Sequence, residues 1–365
     1  MDKYSLDLCK ELTEAHGAPG MEGAIADIFR REAKAYGPIS SDKLGSVMCC
    51  KEGAAGPKVM VPGHLDEIGF VVRMVDDEGF LKFSPLGGWY DQVLLSQQVL
   101  VHTRKGAWPG VIGSKPPHIL KPDERDKVVK REDMFIDVGA KNRAEAERKF
   151  GVRVGDVMTC VFDFTPMANP KMLLAKAWDD RLGVALAIDL LRKLGRAKHP
   201  NTVYSVGTVQ EEVGCRGAQT AAYTIEPDVA LVLDVGIATD VPGCGRAYGE
   251  GTLGKGPQLC VLDGGMIPNR RLLDMAIDLA EKHKIPHQFS ILERGTTDGA
   301  RIHMQFSGVP CLYIGAATRY IHSQAGIVHS DDYDNALKLL VAMIKGLDRK
   351  TVESLSQSRQ VRPSR

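Results

Sequence analysis

The sequence predicts an α/β fold: a mostly parallel core sheet covered by helices on both faces, with a β-rich domain inserted into it. Two textures in the chain point there. After Pro170, near-continuous apolar segments alternate with amphipathic ones, the pattern of strands buried on both faces by intervening helices. From about Ile68 to Thr165 the chain instead carries short strand-like runs punctuated by Gly and Pro. A length of 365 residues suits one large α/β domain or two smaller units.

Taken in order, the segment from Ser5 to Tyr36 is expected to be mostly helical. Ile25, Ile28, Phe29 and Ala33 share one face there, and Gly37 ends the pattern. "GPKVMVPGHLDE" is a short apolar strand stopping at Pro62-Gly63. "GFVVRMV", "GFLKFS", "QVLVHT", "WPGVIG", "MFIDVG" and "DVMTCVFDF" are the strands of the inserted domain, broken by an amphipathic "KNRAEAERKFG". Then "KMLLAKA" reads as a strand and "RLGVALAIDLLRKLG" as a helix burying Leu182, Leu186, Ile188, Leu190 and Leu191. "TVYSVGTVQ", "DVALVLDVG" and "PCLYIG" read as strands, "RRLLDMAIDLAEKHK" and "NALKLLVAMIKGL" as helices. The expected organisation is a discontinuous catalytic α/β domain (1–67 and 166–349), an inserted β-rich domain (68–165) and a polar tail (350–365) expected to fray.

Composition narrows the function classes. Charged residues make up 25% of the chain and hydrophobic ones 44%, close to globular averages, so a sizeable core is available. A net charge of +1 supplies no field for nucleic acid or an anionic membrane, and neither is expected as a partner. The first twenty residues lack the basic and apolar regions of a signal peptide, and no apolar window reaches about 18 residues. The eight cysteines are scattered without a C-x-x-C pair. A cytoplasmic protein with free thiols is expected.

Five short motifs carry candidate chemistry. "VPGHLDEIGF" holds His64 and Asp66, "AWDDRLG" holds Asp179 and Asp180, and "VQEEVGCRGA" holds Glu211 and Glu212. "LDVG" holds Asp234, and "TRYIHSQAG" holds His322. Each alone has an ordinary explanation: a turn histidine, a helix N-cap, solvated surface glutamates, a turn aspartate, a loop histidine. Their shared placement is what argues otherwise. "KVMVPGH", "LLAKAWD", "TVYSVGTVQE", "VALVLD" and "CLYIGAATRYIH" are each an apolar strand followed by one of these residues. That puts all five groups just past the C-terminal ends of core strands, where open α/β sheets bind ligands. His, Asp and Glu without Cys is the ligand chemistry of a hydrolytic zinc, cobalt or manganese site. Five ligands suit two metals sharing a bridging carboxylate, and three carboxylates plus one hydroxide balance two divalent ions. Asp66, two residues beyond His64, lies on the same side of an extended chain and can accept the other ring N–H. Of Glu211 and Glu212, one is expected to ligate and the other to act as base.

In these motifs the chain resembles the tetrahedral (TET-type) aminopeptidases. These are dinuclear-metal peptidases that include glutamyl and deblocking aminopeptidases, some labelled endoglucanases. The resemblance covers nearly the whole chain, through "GHLDEIGF", "WDDR", "EEVGCRGA", "LDVG" and "TRYIHS" in that order. It implies that His64, Asp179 and Asp234 hold one metal and that Asp179, Glu212 and His322 hold the other. It further implies Glu211 as general base, Asp66 as the residue orienting His64, and a cis peptide bond between Asp179 and Asp180. His329, in "VHS", is the alternative to His322. The implied reaction is hydrolysis of the first peptide bond of short peptides by the bridging hydroxide. The implied assembly is a dimer formed through the inserted domain and then a twelve-subunit tetrahedron.

Rival readings are weaker. An amide deacylase or carboxypeptidase could use the same site, and a non-catalytic assembly protein could keep the fold. A glycosidase would need two carboxylates rather than metals. "GEGTLGKG" approximates two phosphate-loop patterns through Gly249, Gly251, Gly254 and Lys255. However, Gly256 stands where Ser or Thr is needed, and a strand rather than a helix is expected next. Arg294, Thr296, Thr297, Asp298 and Arg319 flank the expected cleft; for the arginines, solvation or ordinary pairing is the favoured reading.

Overall fold

A computed structural model of the chain describes residues 1–244 and 251–356. Its strands, in order, are β1 (Ile39–Ser41), β2 (Val47–Lys51), β3 (Lys58–His64), β4 (Gly69–Val75), β5 (Leu81–Leu86), β6 (Gln98–Thr103), β7 (Gly106–Gly113), β8 (Phe135–Asp137) and β9 (Val157–Cys160). They continue as β10 (Thr165–Pro166), β11 (Met172–Ala175), β12 (Thr202–Thr208), β13 (Val229–Ile237), β14 (Gln258–Asp263), β15 (Gln288–Leu292), β16 (Cys311–Thr318) and β17 (Gly326–His329). The helices are α1 (Lys3–Glu14), α2 (Gly23–Ala33), α3 (Pro122–Arg125), α4 (Trp178–Leu194), α5 (Arg216–Ile225), α6 (Arg270–Lys282), α7 (Gly299–Ile302), α8 (Ser330–Gly346) and α9 (Arg349–Leu355).

The core sheet has the order β1-β2-β12-β3-β13-β16-β14-β15. Its four central strands, β12, β3, β13 and β16, run parallel. The pairs β2–β12 and β14–β16 are antiparallel, so the direction reverses only towards the edges. The alternation of side chains across the pleat sorts the apolar residues into two layers. Val59, Val61, Leu231, Leu233, Leu312 and Ile314 pack with α1, α2, α4, α6 and α8 on one face. Met60, Ala230, Val232, Cys311 and Tyr313 pack with Ala218, Ala221 and Ile302 of α5 and α7 on the other. This is why β3, β13 and β16 read as unbroken apolar runs: neither face meets water.

The six strands of the expected insert close on themselves as β4-β5-β8-β7-β6-β9. Phe70, Val72, Leu81, Phe83, Val99, Val101, Ile136 and Met158 fill this barrel.

Two sequence expectations fail. "KMLLAKA" is not a core strand. β11 belongs to a separate three-stranded sheet, β10-β11-β17, where Leu173 pairs with Val328. An isolated apolar tetrapeptide carries no signal for which sheet it joins. The segment after Lys350 is also not simply frayed. Asp348 caps α9 by accepting from the Thr351 N–H, and Val352 and Leu355 are buried. Residues 357–365 of the expected tail lie outside the described residues.

Candidate metal centre and substrate cavity

Because the four central strands are parallel, their C-terminal ends share one edge, and most of the candidate groups gather there. His64 is the last residue of β3. Glu211 and Glu212 follow β12 in the turn leading to α5. Asp234 lies in the C-terminal half of β13, and His322 follows β16. Asp179 arrives differently. It sits in the non-helical kink at the start of α4, two residues after Ala177 at φ 53°, and the Asp179–Asp180 peptide bond is cis. Ala177, Gln210, Cys215, Tyr320 and His322 all have positive φ, a left-handed backbone that non-glycine residues adopt seldom and that clusters at functional sites.

Asp179 presents one oxygen to each histidine. Its Oδ1 lies 2.9 Å from His64 Nε2, and its Oδ2 lies 3.2 Å from His322 Nε2. Glu212 Oε2 is 3.8 Å from His322 Nε2, and Glu211 Oε2 is 3.9 Å from His64 Nε2. Ligand-type atoms of His64, Asp180 and Asp234, and of His64, Asp179 and Glu212, lie within 4.8 Å of one another. The structure therefore brings His64, Asp179, Glu211, Glu212, Asp234 and His322 together. His329 is elsewhere: its ring accepts from the Asp331 N–H at the start of α8 and faces Gly254.

The second nitrogen of each ring is occupied. His322 Nδ1 lies 2.6 Å from the carbonyl oxygen of Gly88, on the connection between β5 and β6 of the barrel. His64 Nδ1 lies 3.0 Å from the backbone carbonyl of Asp66, with the Asp66 carboxylate farther off at 3.6 Å. Both rings thus donate from Nδ1 and keep Nε2 for the cluster. The nearer partner of His64 is the Asp66 backbone rather than the expected carboxylate. That carboxylate accepts instead from the backbone N–H groups of Glu211 at 3.0 Å and Glu212 at 3.1 Å. Asp66 thereby ties the His64 turn to the turn carrying both glutamates. No local pattern signals this tie, because the partners lie 145 positions apart. Asp180 has a comparable role. It accepts from the backbone N–H groups of His64 and Gly183, holding β3 against α4.

The electrostatics are those of crowded buried acids. Burial pushes Glu212 up to about 8, helped by the Asp179 charge. Burial also pushes Glu211 and Asp234 well above the usual carboxylate range, with Asp298 adding to the shift at Glu211 and Asp179 adding to it at Asp234. For Asp179, burial acts upward, but the hydrogen bonds from His322 and His64 win and hold it low. For the histidines, burial acts downward, but the contacts with Asp179 win. His322 is raised to about 10 and His64 well above its ordinary value. Glu212 Oε1 is buried with no hydrogen-bond partner. An acceptor-only oxygen in that state, among imidazole and carboxylate donors and without cysteine, fits divalent cations of the zinc, cobalt or manganese type.

Asp179, Glu211, Glu212, Asp234 and His322 of the cluster line a cavity of about 430 Å³. Ile237, Phe289, Ile291 and Leu292 supply apolar wall, and Arg294, Thr296 and Thr297 also line it. Arg319 does not reach it as a free cation, because Asp240 takes its guanidinium at 2.8 and 2.7 Å. Buried groups that the sequence reading passed over are Gln258 and Tyr313 on the cavity wall, and Cys215 beneath Glu211. The glycine-rich decoy is also explained. Gly249 lies outside the described residues, but the N–H groups of Gly254 and Gly256 both donate to the Asp332 carboxylate. These two glycine N–H groups are thus already taken by the chain's own carboxylate.

An open α/β sheet with histidines and carboxylates gathered beyond its parallel strand ends has the construction of a hydrolase that works through divalent cations. The chain belongs to the M42 glutamyl aminopeptidase family, whose sequence model matches residues 45–339. It is 38% identical to the putative aminopeptidase FrvX of Escherichia coli (strain K12) over 359 residues, covering 98% of this chain and 99% of that protein. Among solved structures it is similar to a TET aminopeptidase from a marine sediment Thaumarchaeota archaeon. That match has a TM-score of 0.94 and 45% identity and covers 97% of this chain and 100% of that one. It is also similar to the TET1 peptidase of Pyrococcus horikoshii, with a TM-score of 0.85 and 29% identity, covering 94% of this chain and 100% of that one. That peptidase can assemble into a tetrahedron or a large octahedral shell.

Proposed function

We propose that this chain is a metal-dependent aminopeptidase that removes the N-terminal residue from short peptides, with Glu211 as general base. The observation that carries this is the pair of imidazole Nε2 atoms facing opposite oxygens of Asp179, with Glu212, Asp234 and Glu211 beside them. His64, Asp179 and Asp234 would hold one divalent ion, and Asp179, Glu212 and His322 a second, with Asp179 shared. Zinc, cobalt or manganese suits this donor set. When bound, these ions supply activation of a water and polarisation of the scissile carbonyl.

The chain's own residues do the rest. Glu211 sits next to the ligands but is not needed as one. Its Oε2 takes the proton of the attacking water and hands it to the leaving amine. The cavity beside the cluster receives the first side chain of the peptide. Asp66 holds the glutamate turn, and its backbone carbonyl holds the His64 ring, so the proton-transfer group and the ligands keep one geometry. We further propose residues 68–165 as a dimerising unit within a tetrahedral dodecamer in the cytoplasm. The shell-forming TET1 peptidase supports the assembly by analogy.

The test is mass-spectrometric cleavage after loading with zinc, cobalt or manganese, comparing one short peptide with its N-acetylated form. Stepwise loss of single residues from the free peptide alone, abolished by chelator, is expected. Cleavage of the acetylated form would instead indicate a deacylase or deblocking enzyme. No cleavage with any metal would point to a non-catalytic protein.

A further inference from the structure

Cys215 is the last residue before α5 and lies beneath the proposed base. Its Sγ is 3.1 Å from Glu211 Oε1 and 3.4 Å from the backbone carbonyl of Thr297. Its own N–H donates to the Glu211 carbonyl at 2.8 Å, so backbone and side chain are tied to the same residue. Glu211 otherwise stands among acids: Asp66, Glu212 and Asp298 all press on it electrostatically. Its other oxygen, Oε2, faces His64 Nε2 at 3.9 Å. A glutamate has three side-chain torsions and a freely turning carboxylate. One donor on Oε1 is enough to set the plane of that carboxylate and so to aim Oε2.

We infer that Cys215 is a positioning residue for the reaction: its thiol donates to Oε1 of Glu211 and thereby holds Oε2 toward the ligand cluster, where proton transfer occurs. A thiol suits this place. Its proton is a weak donor, so it orients the carboxylate without greatly stabilising the charged form. The thiol can also turn its single proton to the Thr297 carbonyl when Glu211 is carrying a proton. The backbone at Cys215 is left-handed, φ 54°, and its sulfur sits between the Glu211 carboxylate and the Thr297 carbonyl.

The competing explanation is packing, since buried cysteine often serves only as a small hydrophobe. The inference rests on Glu211 being the base, so the experiment has one arm that needs no turnover. In the metal-loaded enzyme, Cys215→Ala and Cys215→Ser are compared with wild type on short peptides with leucyl, glutamyl and lysyl N-termini. Both replacements are small and tolerate the same backbone; valine is unsuitable because a β-branched residue is strained at positive φ. Positioning predicts that Cys215→Ala lowers kcat about tenfold, the loss of roughly one hydrogen bond. KM and metal content stay as in wild type, and Cys215→Ser recovers most of the loss. Packing predicts the reverse order, because serine buries a polar group where alanine does not. Serine equal to or worse than alanine, or unchanged kcat in alanine, overturns the inference. The arm without turnover is the infrared S–H stretch of Cys215, assigned by its disappearance in Cys215→Ala. It should lie below those of the other buried thiols and rise in Glu211→Gln. A band that does not respond to Glu211→Gln overturns the hydrogen bond itself. Were no peptide cleaved by wild type, the proposed activity would fail while this band still decided the contact.

Discussion

Asp179 and Glu211 look alike as buried acids, but their contacts separate them and so do the roles proposed for them. Asp179 is committed through both oxygens, one to each histidine. Glu211 touches the cluster only at long range, 3.9 Å from His64. Replacing them should therefore have different signatures. Asp179→Asn is expected to lose bound metal and, with it, turnover, as read by metal analysis of the purified protein. Glu211→Gln is expected to keep its metal while kcat falls by about 10²–10⁴, the usual worth of a general acid–base group. A Glu211→Gln enzyme with near-normal kcat would show that the base is another residue. Asp66 and Asp180 show a further division of labour. Neither points an oxygen at the histidine rings as its main contact; both spend their oxygens on backbone N–H groups. The sequence pattern places Asp66 beside the His64 ring, and only the fold reveals that its oxygens, like those of Asp180, hold the backbone around the proposed ligands.

At the scale of elements, the approach of α4 to β3 decides where Asp179 can be. A Cβ at Gly63 would lie 2.6 Å from the Gly183 carbonyl carbon and 2.7 Å from Val184 N. Both are backbone atoms that cannot swing aside. Gly63→Ala is therefore expected to push α4 away and cost about 1–3 kcal/mol, seen as a lowered denaturation midpoint together with weaker metal retention. A second contact joins the end of α1 to the barrel. The Thr159 hydroxyl lies 2.8 Å from both His16 Nδ1 and His102 Nε2. Burial first, and the Lys176 charge second, lower His16 from 6.5 to about 4; burial lowers His102 as well. A histidine held neutral by the fold favours folding above its ordinary pKa. That advantage is lost as pH falls, because the unfolded chain binds the proton first. In the metal-free protein, part of the stability should disappear between about pH 6.5 and 4, and His16→Gln should lose less than wild type over that window in urea titrations. Equal losses in the two proteins would assign the acid sensitivity to other groups.

At the scale of the whole molecule, the barrel and the core sheet meet at the site. The Gly88 carbonyl, carried between two barrel strands, fixes the ring of His322, which comes from the core. A Cβ at Gly88 would sit 3.0 Å from His322 Nδ1, so the two units approach as closely as backbone allows. Any motion of the barrel would therefore be felt at one proposed ligand, which gives the proposed assembly a physical route to the chemistry. The expected outcome is a particle much larger than one chain of 39.8 kDa in sedimentation at micromolar concentration. A monomer under those conditions would sink the tetrahedral proposal while leaving the metal site untouched.

Most of the architecture, and most of the residues that gather beyond the strand ends, could be read from the chain alone. Apolar runs alternating with amphipathic ones require a sheet buried on both faces, and six short punctuated runs could close as a barrel. Both patterns are local, set by the period at which side chains alternate. Most of the candidate site was legible for a related reason: in a parallel sheet every strand end faces the same edge, so a polar residue at the end of each apolar run already implies a meeting place; Asp179 is the exception, because β11 lies outside that sheet. Contacts between distant positions could not be read this way. The sheet that β11 joins, the turn that Asp66 holds, the placement of His322 rather than His329 beside Asp179 and the pairing of Arg319 with Asp240 all depend on partners far along the chain. The thiol under Glu211 is the instructive exception. Cys215 is four residues away in sequence, yet only the left-handed turn between them aims its sulfur at the carboxylate. Spacing can bring two residues near each other; the backbone path decides which atoms meet.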